Sequence, residues 1–286
     1  MKILILGSDG LLGSYVLSIG KISGFDVVGI SRKKNRGFDF NYESSIFSII
    51  DSFKPNVVIN CVAITSFDFC EEHFEEALKI NCSTPVKIAE KCAELNIKFV
   101  HISTDHYYNG NGKRQHEESD KVTILNKYAQ TKYLAEEGIK TFSNCLILRT
   151  SIIGRTSNGR NFLDWIINAL QNGDRVGLYE DAFTSFIHCN QLSKIIFELL
   201  LKNASGLYNI GASEVFSKAE FCILLAKEIE LNLNYFLTKV TEQRIQRANS
   251  CGLSSKLIQD RYTISIPTME DVVSQCVIEW STSSKK

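Results

Sequence analysis

Tyr128 and Lys132 stand four residues apart in Lys127-Tyr-Ala-Gln-Thr-Lys132, and a helix carries such a pair on one face. A phenol beside an ammonium group is the raw material of a proton donor. The cation favours the phenolate, so a group that titrates at about 10 in water is drawn toward working pH. The same spacing also describes an ordinary amphipathic turn with a half-buried ring and a solvated charge, so the pair needs support from elsewhere in the chain.

The first support is the apolar run Lys2-Ile-Leu-Ile-Leu6, which reads as a buried strand and breaks into Gly7-Ser-Asp-Gly10-Leu-Leu-Gly13. Apolar residues at helical spacing follow from Leu11 to Ile19, so the unit is strand, tight turn, helix. Such a unit holds a pyrophosphate. Gly7 permits the turn, Gly10 lets the backbone approach the phosphates, Gly13 allows close helix packing, and the helix N-terminus offers free N–H groups. The spacing is Gly-x-x-Gly-x-x-Gly rather than Gly-x-Gly-x-x-Gly. The second support follows the next apolar run, Asp26 to Ile30, where the chain reads Ser31-Arg32-Lys33-Lys34 without a carboxylate. An acid there would bind the ribose 2′-hydroxyl of NAD, whereas a hydroxyl with an arginine suits a 2′-phosphate. Ser31 and Arg32 therefore favour NADPH, with NADH as the alternative, although a solvated basic turn has the same composition.

The elements that must position these residues alternate as a parallel sheet with crossover helices requires. Strands are expected at 2–6, 26–30, 56–61, 97–102 and 144–149, and helices at 11–21, 43–53, 72–95 and 126–141, the third kinked or interrupted by Pro85. Their strand ends deliver Gly7, Ser31, Ala63, Ser103 and Thr150 to one edge, where doubly wound sheets bind ligands. Beyond residue 152 the pattern loosens into helices near 159–171, 190–202, 216–229 and 268–279 with short strands between, and no clean linker separates the halves.

Composition narrows the class. The 286 residues carry 32 basic and 32 acidic side chains and no net charge, which calls for neither nucleic acid nor an anionic membrane as partner. The longest apolar stretches, such as Ile195 to Leu201, fall well short of a membrane span, and the first residues lead directly into a strand without a signal-like segment. A cytoplasmic location is the expectation. Nine scattered cysteines form no Cys-x-x-Cys pair; they read as reduced, buried small hydrophobes, and no metal site is expected.

Gly7-Ser-Asp-Gly-Leu-Leu-Gly13, Asp39-Phe40, Pro55-Asn-Val-Val-Ile-Asn60 with Ala63-Ile-Thr65, Ser103-Thr-Asp105, Tyr128-Ala-Gln-Thr-Lys132 and Leu148-Arg-Thr-Ser151 together resemble the extended short-chain dehydrogenase/reductase superfamily and, within it, the dTDP-4-dehydrorhamnose reductase family. The resemblance covers nearly the whole chain. It implies an α/β class with a Rossmann-type doubly wound parallel sheet over 1–151 as the NADP(H)-binding domain. Residues 152–286 would be mainly a smaller substrate-binding lobe, interleaved with the end of that sheet. It further implies NADPH-dependent reduction of the 4-keto group of a nucleotide-activated deoxyhexose for surface polysaccharide, and a homodimer. Tyr128 would donate the proton, Lys132 would hold the nicotinamide ribose, and Thr104 would be the third catalytic group. Leu11, Leu12, Cys61, Ala63, Ile64, Thr65 and Ile102 would join the glycines around the cofactor, with Asp39 and Phe40 at the adenine. Asp105, Ile152 and Arg247 would face the substrate, Arg247 as a guanidinium fork for the diphosphate.

Some positions depart from that family. Ile152 stands where many members carry a Trp, His106-Tyr-Tyr-Asn-Gly110 replaces a Tyr-Val-Phe-Asp-Gly run, and Glu180 to Phe186 lacks the usual Gly-x-Pro-Thr. These changes bear on the sugar more than on the reaction. Three alternatives stay open: a 4-epimerase, which uses the same Tyr and Lys; a 4,6-dehydratase, disfavoured because Asp105-His106 replaces the Asp-Glu pair usual there; and a non-catalytic subunit, since the regulatory beta subunit of methionine adenosyltransferase resembles the same family. His101 and His106 are given no role.

Overall fold

Short aliphatic runs become the strands of a central sheet because both faces of a parallel sheet are covered, leaving no side of the strand for polar residues. Ile3, Leu4, Ile5 and Leu6 are all fully buried. The structure, a computed structural model, describes residues 1–32, 43–156, 159, 161–240 and 243–283. These form two compact units. The first comprises Met1–Thr104, Ile124–Arg149 and Ser193–Tyr208; the second comprises Asp105–Thr123, Thr150–Leu192 and Asn209–Lys286.

In the first unit the strands are β1 (Lys2–Leu6), β2 (Asp26–Ile30), β3 (Val57–Asn60), β4 (Lys98–Ile102) and β5 (Cys145–Thr150). They are joined at the far edge by the strand Gly206–Ile210, and β1 lies between β2 and β3 in the order 2-1-3-4-5. The pairings among β1 to β5 are parallel, with Leu4 opposite both Val28 and Val58. The fold is thus the expected Rossmann-type sheet, and its strand order reverses at β1 and β3, the crevice where such sheets bind ligands. The helices are α1 (Leu11–Ile22), α2 (Glu43–Phe53), α3 (Phe67–Glu72), α4 (Phe74–Leu78), α5 (Thr84–Glu94) and α6 (Lys127–Ile139). Ile46 and Ile50 of α2, Ile88 and Cys92 of α5, and Ala135 and Ile139 of α6 share one core with Leu4, Val58 and Phe99.

The single helix expected over 72–95 is three pieces. The chain breaks at His73 (φ −127°), and a wide π-turn, Lys79–Ser83, separates α4 from α5. Pro85 is not the breaker. It sits in the first turn of α5, where its missing N–H costs little.

The expected boundary at residue 151 is crossed twice, since 105–123 belongs to the second unit and 193–208 to the first. The latter segment supplies the first three residues of the sixth strand, and Phe197 stacks on Phe25 with centroids 5.0 Å apart. The second unit gathers the helices Phe162–Asn172, Lys218–Glu228 and Met269–Ser283 around Leu163, Ile166, Phe221, Leu225, Val272 and Cys276. Phe186 meets Phe221 edge-on at 5.5 Å within that core, the geometry aromatic quadrupoles favour. Among the described residues no helix is long and apolar enough to cross a membrane.

Candidate active site

The glycine turn is shaped by what side chains would strike. Gly7 has φ +81°, in the left-handed region, and the amides of Gly7 and Ser8 both donate to the Ile30 carbonyl at 2.9 and 3.1 Å. A Cβ on Gly13 would stand 2.2 Å from the Gly7 oxygen, so α1 reaches the end of β1 only because residue 13 lacks one. Gly10 is the N-cap of α1, extended at φ −72° and ψ 171°, and offers no side-chain cap. A helix N-terminus whose amides meet no capping side chain, beside a glycine cradle at the switch point, fits a pyrophosphate. Leu12 is buried and Leu11 half-buried.

At the end of β2, Ser31 is buried and its hydroxyl donates to the Asp9 carboxylate at 2.5 Å. Arg32 is exposed. Asp39 and Phe40 lie outside the described residues.

Beyond β3 the segment 61–65 is held by a residue that sequence reasoning missed. Asn81, turned inward by the π-turn, accepts from the Ile64 amide at 2.7 Å, donates to the Ile64 carbonyl at 2.9 Å and reaches Thr131 Oγ1 at 3.0 Å. The Cys61 amide donates to the Leu6 carbonyl at 3.0 Å, and burial pushes its thiol up to about 12, so it stays a neutral, inert group. Ala63 is half-buried and Thr65 exposed.

Helix α6 starts at Asn126, whose side chain accepts from the Ala129 amide at 2.9 Å. It then carries Tyr128, Lys132 and Glu136 at successive i+4 positions on one buried face. The Tyr128 ring meets Phe67 edge-on at 5.3 Å and packs with Cys70 and Ala77. Lys132, 1% exposed, donates from Nζ to the Ile102 carbonyl at 2.7 Å and lies 3.1 Å from His101 Nε2. Burial lowers its pKa to about 8, against the opposing pull of Glu136. His101, denied a role above, is therefore in the cluster. The Asn60 side-chain oxygen accepts from the Val62 amide, so its nitrogen donates to His101 Nδ1 at 3.2 Å. Burial, helped by the Lys132 charge, holds the His101 pKa well below its ordinary value. A neutral ring accepting at Nδ1 carries its proton on Nε2, the atom that faces Lys132. The available signal was a histidine inside the otherwise apolar run of a central strand.

Glu136 clamps this face to two strand ends. It accepts from Ser103 Oγ at the end of β4 and from Arg149 in β5, at 3.1 Å from Nε and 2.7 Å from Nη2. All three residues are buried. Thr104, also buried, follows Ser103 directly.

In the second unit, Asp105, His106, Lys218, Arg247 and Cys251 form one electrostatic neighbourhood. Burial, more than the nearby cations, lowers the His106 pKa, so its approach to Asp105 at 3.9 Å is not an ion pair near neutrality. Lys218 begins the helix Lys218–Glu228, lies 5.7 Å from the Phe162 centroid, and is lowered chiefly by burial. It was missed because nothing in the sequence separates it from a solvated lysine. Asp105 and Arg247 are thus brought together with a second cation. Ile152 lies in a short strand opposite Ile187, half-buried. Tyr107 and Tyr108 are buried, and Tyr108 stacks on His116 at 4.1 Å.

Residues 1–281 match the family described as RmlD substrate binding domain. The chain belongs to this family. The "Probable low-salt glycan biosynthesis reductase Agl14" of Haloferax volcanii is 26% identical over 287 residues, 95% of each chain. A dTDP-4-dehydrorhamnose reductase of Aggregatibacter actinomycetemcomitans is 28% identical over 236 residues, 79% of each chain. The crystal structure of a dTDP-4-dehydrorhamnose reductase from Bacillus anthracis in complex with NADP superimposes with a TM-score of 0.89 at 20% identity, covering 97% of this chain and 99% of that one; this likeness shows the fold.

Proposed function

We propose that the protein is a nicotinamide-dependent reductase of the 4-keto group of a nucleotide-activated deoxyhexose, supplying a sugar for polysaccharide or glycan assembly. One observation carries the reading: the buried face of α6 brings Lys132 to the end of β4, on the same sheet whose β1–β3 switch point bears an uncapped, glycine-cradled helix N-terminus. Gly7, Gly10, Gly13 and the first amides of α1 bind the pyrophosphate. When bound, reduced NADPH or NADH supplies hydride to the carbonyl carbon. Tyr128 gives a proton to the ketone oxygen, and Thr104 orients that oxygen by a hydrogen bond. Lys132, able to change charge near pH 8, holds the nicotinamide ribose and re-supplies the proton. Lys218 and Arg247 bind the substrate diphosphate, a task suited to paired cations. The relatives' printed activities, dTDP-4-dehydrorhamnose reduction and glycan biosynthesis, support the substrate class. The nine free cysteines, seven of them buried, support a reducing compartment, the cytoplasm.

The test is a panel of nucleotide-linked 4-keto-6-deoxysugars incubated with NADPH or NADH, following cofactor absorbance and the product's configuration at C4. Oxidation of the cofactor with formation of a 4-hydroxy sugar is expected. A protein that binds dinucleotide yet reduces no member of the panel would favour the non-catalytic reading.

A further inference from the structure

The end of β2 lacks the acid that reads an adenosine ribose, yet a carboxylate is present there. It arrives from the glycine turn. Asp9 lies between Gly7 and Gly10, and its Oδ2 accepts the Ser31 hydroxyl at 2.5 Å. The turn is itself pinned across the end of β2, since Gly7 and Ser8 both donate to Ile30. Gly29 completes the fit: a Cβ there would stand 2.5 Å from the Ser8 Cβ, so the loop rests directly on β2.

We infer that Asp9 is the specificity residue for the cofactor's 2′ position, and that it admits the free hydroxyl of NADH while restraining the 2′-phosphate of NADPH. This rests on the dinucleotide reading given above. Two features of the pair point the same way. A carboxylate accepts hydrogen bonds and never donates them, so it suits a ribose hydroxyl and repels a phosphate. Ser31 has a single hydroxyl proton and gives it to Asp9, so that proton is not offered to a phosphate oxygen. Arg32, exposed next to Ser31, pulls the other way, which makes the balance between the two cofactors the quantity that Asp9 sets.

The experiment measures dissociation constants of NAD+ and NADP+ for the whole protein by calorimetry, with no turnover required, in the parent, Asp9→Asn and Asp9→Ala. Asparagine keeps the shape and an acceptor while deleting the charge. Removing one like charge from beside a phosphate should tighten NADP+ relative to NAD+ by roughly ten- to a hundredfold, and alanine should do the same while also weakening NAD+. An affinity ratio that stays within about twofold of the parent's in both variants would overturn the inference while leaving the dinucleotide reading intact. Loss of both dinucleotides in both variants would make Asp9 a structural residue of the turn, and likewise overturn it. A parent that binds neither dinucleotide would overturn the reading of the turn, and the inference with it.

Discussion

The glycine turn and the buried face of α6 sit on the same sheet but are positioned by opposite means. At the turn, position comes from missing atoms: Gly13 brings α1 against the Gly7 carbonyl because there is no Cβ to keep them apart. On α6, position comes from buried charge. Glu136 ties the helix to Ser103 and Arg149, and Lys132 ties it to Ile102 and His101. A steric device is local and nearly rigid. A polar clamp spans three elements, and removing one partner costs the others a hydrogen bond or counter-charge in a desolvated setting.

The largest effect should therefore come from breaking the clamp. Glu136→Gln keeps the volume but leaves the Arg149 guanidinium buried without its counter-charge, and a loss of about 3–5 kcal/mol is expected, read as a fall in denaturant midpoint at unchanged m-value. A loss under about 1 kcal/mol would mean that α6 is held by its apolar packing alone. Gly13→Ala tests the turn. The new methyl meets backbone, which no rotamer change relieves, so a cost of about 1–3 kcal/mol is expected despite the roughly 1 kcal/mol of helix propensity gained. Dinucleotide affinity should fall in parallel, and retained affinity would show that the cradle is not the pyrophosphate site.

Much of the first device is legible in sequence and little of the second. Gly7, Gly10 and Gly13 act through a short-range constraint that their spacing displays, and the aliphatic runs of β1 to β5 announce a sheet covered on both faces. Tyr128 and Lys132 share a face because helical period fixes it. Glu136 continues that face, but its partners lie 33 residues before it and 13 after, and only the fold brings them together. Asn81 is hidden for another reason. Its inward turn depends on the π-turn Lys79–Ser83, an irregularity that periodicity reads as continuous helix. Asp9 was in plain view within the glycine motif, yet its bond to Ser31 depends on how the turn lies over β2.

A smaller effect concerns the charge of Lys132. Its folded pKa is lowered from an ordinary 10.5 to about 8 by burial. Between those values the unfolded chain holds a proton that the folded protein has released, so this residue's contribution to stability rises with pH across the window. It is fully present above pH 10.5 and gone below about pH 8. The slope is at most about 1.4 kcal/mol per pH unit. Buried thiols such as Cys61, raised to about 12, titrate in the opposite sense, so the parent must be compared with Lys132→Met. The difference in unfolding free energy between the two should climb over that window; a flat difference would show that Lys132 is an ordinary ammonium in the folded state.

The central claim is that the face of α6 delivers a proton to a sugar ketone, and Tyr128→Phe tests it most directly. The ring and its edge-on contact with Phe67 remain, while the hydroxyl is lost. Single-turnover reduction of the best 4-keto sugar in the panel should slow by about two to four decades, with folding and dinucleotide affinity unchanged. A Tyr128→Phe protein that reduces that substrate at close to the parental rate would contradict the account.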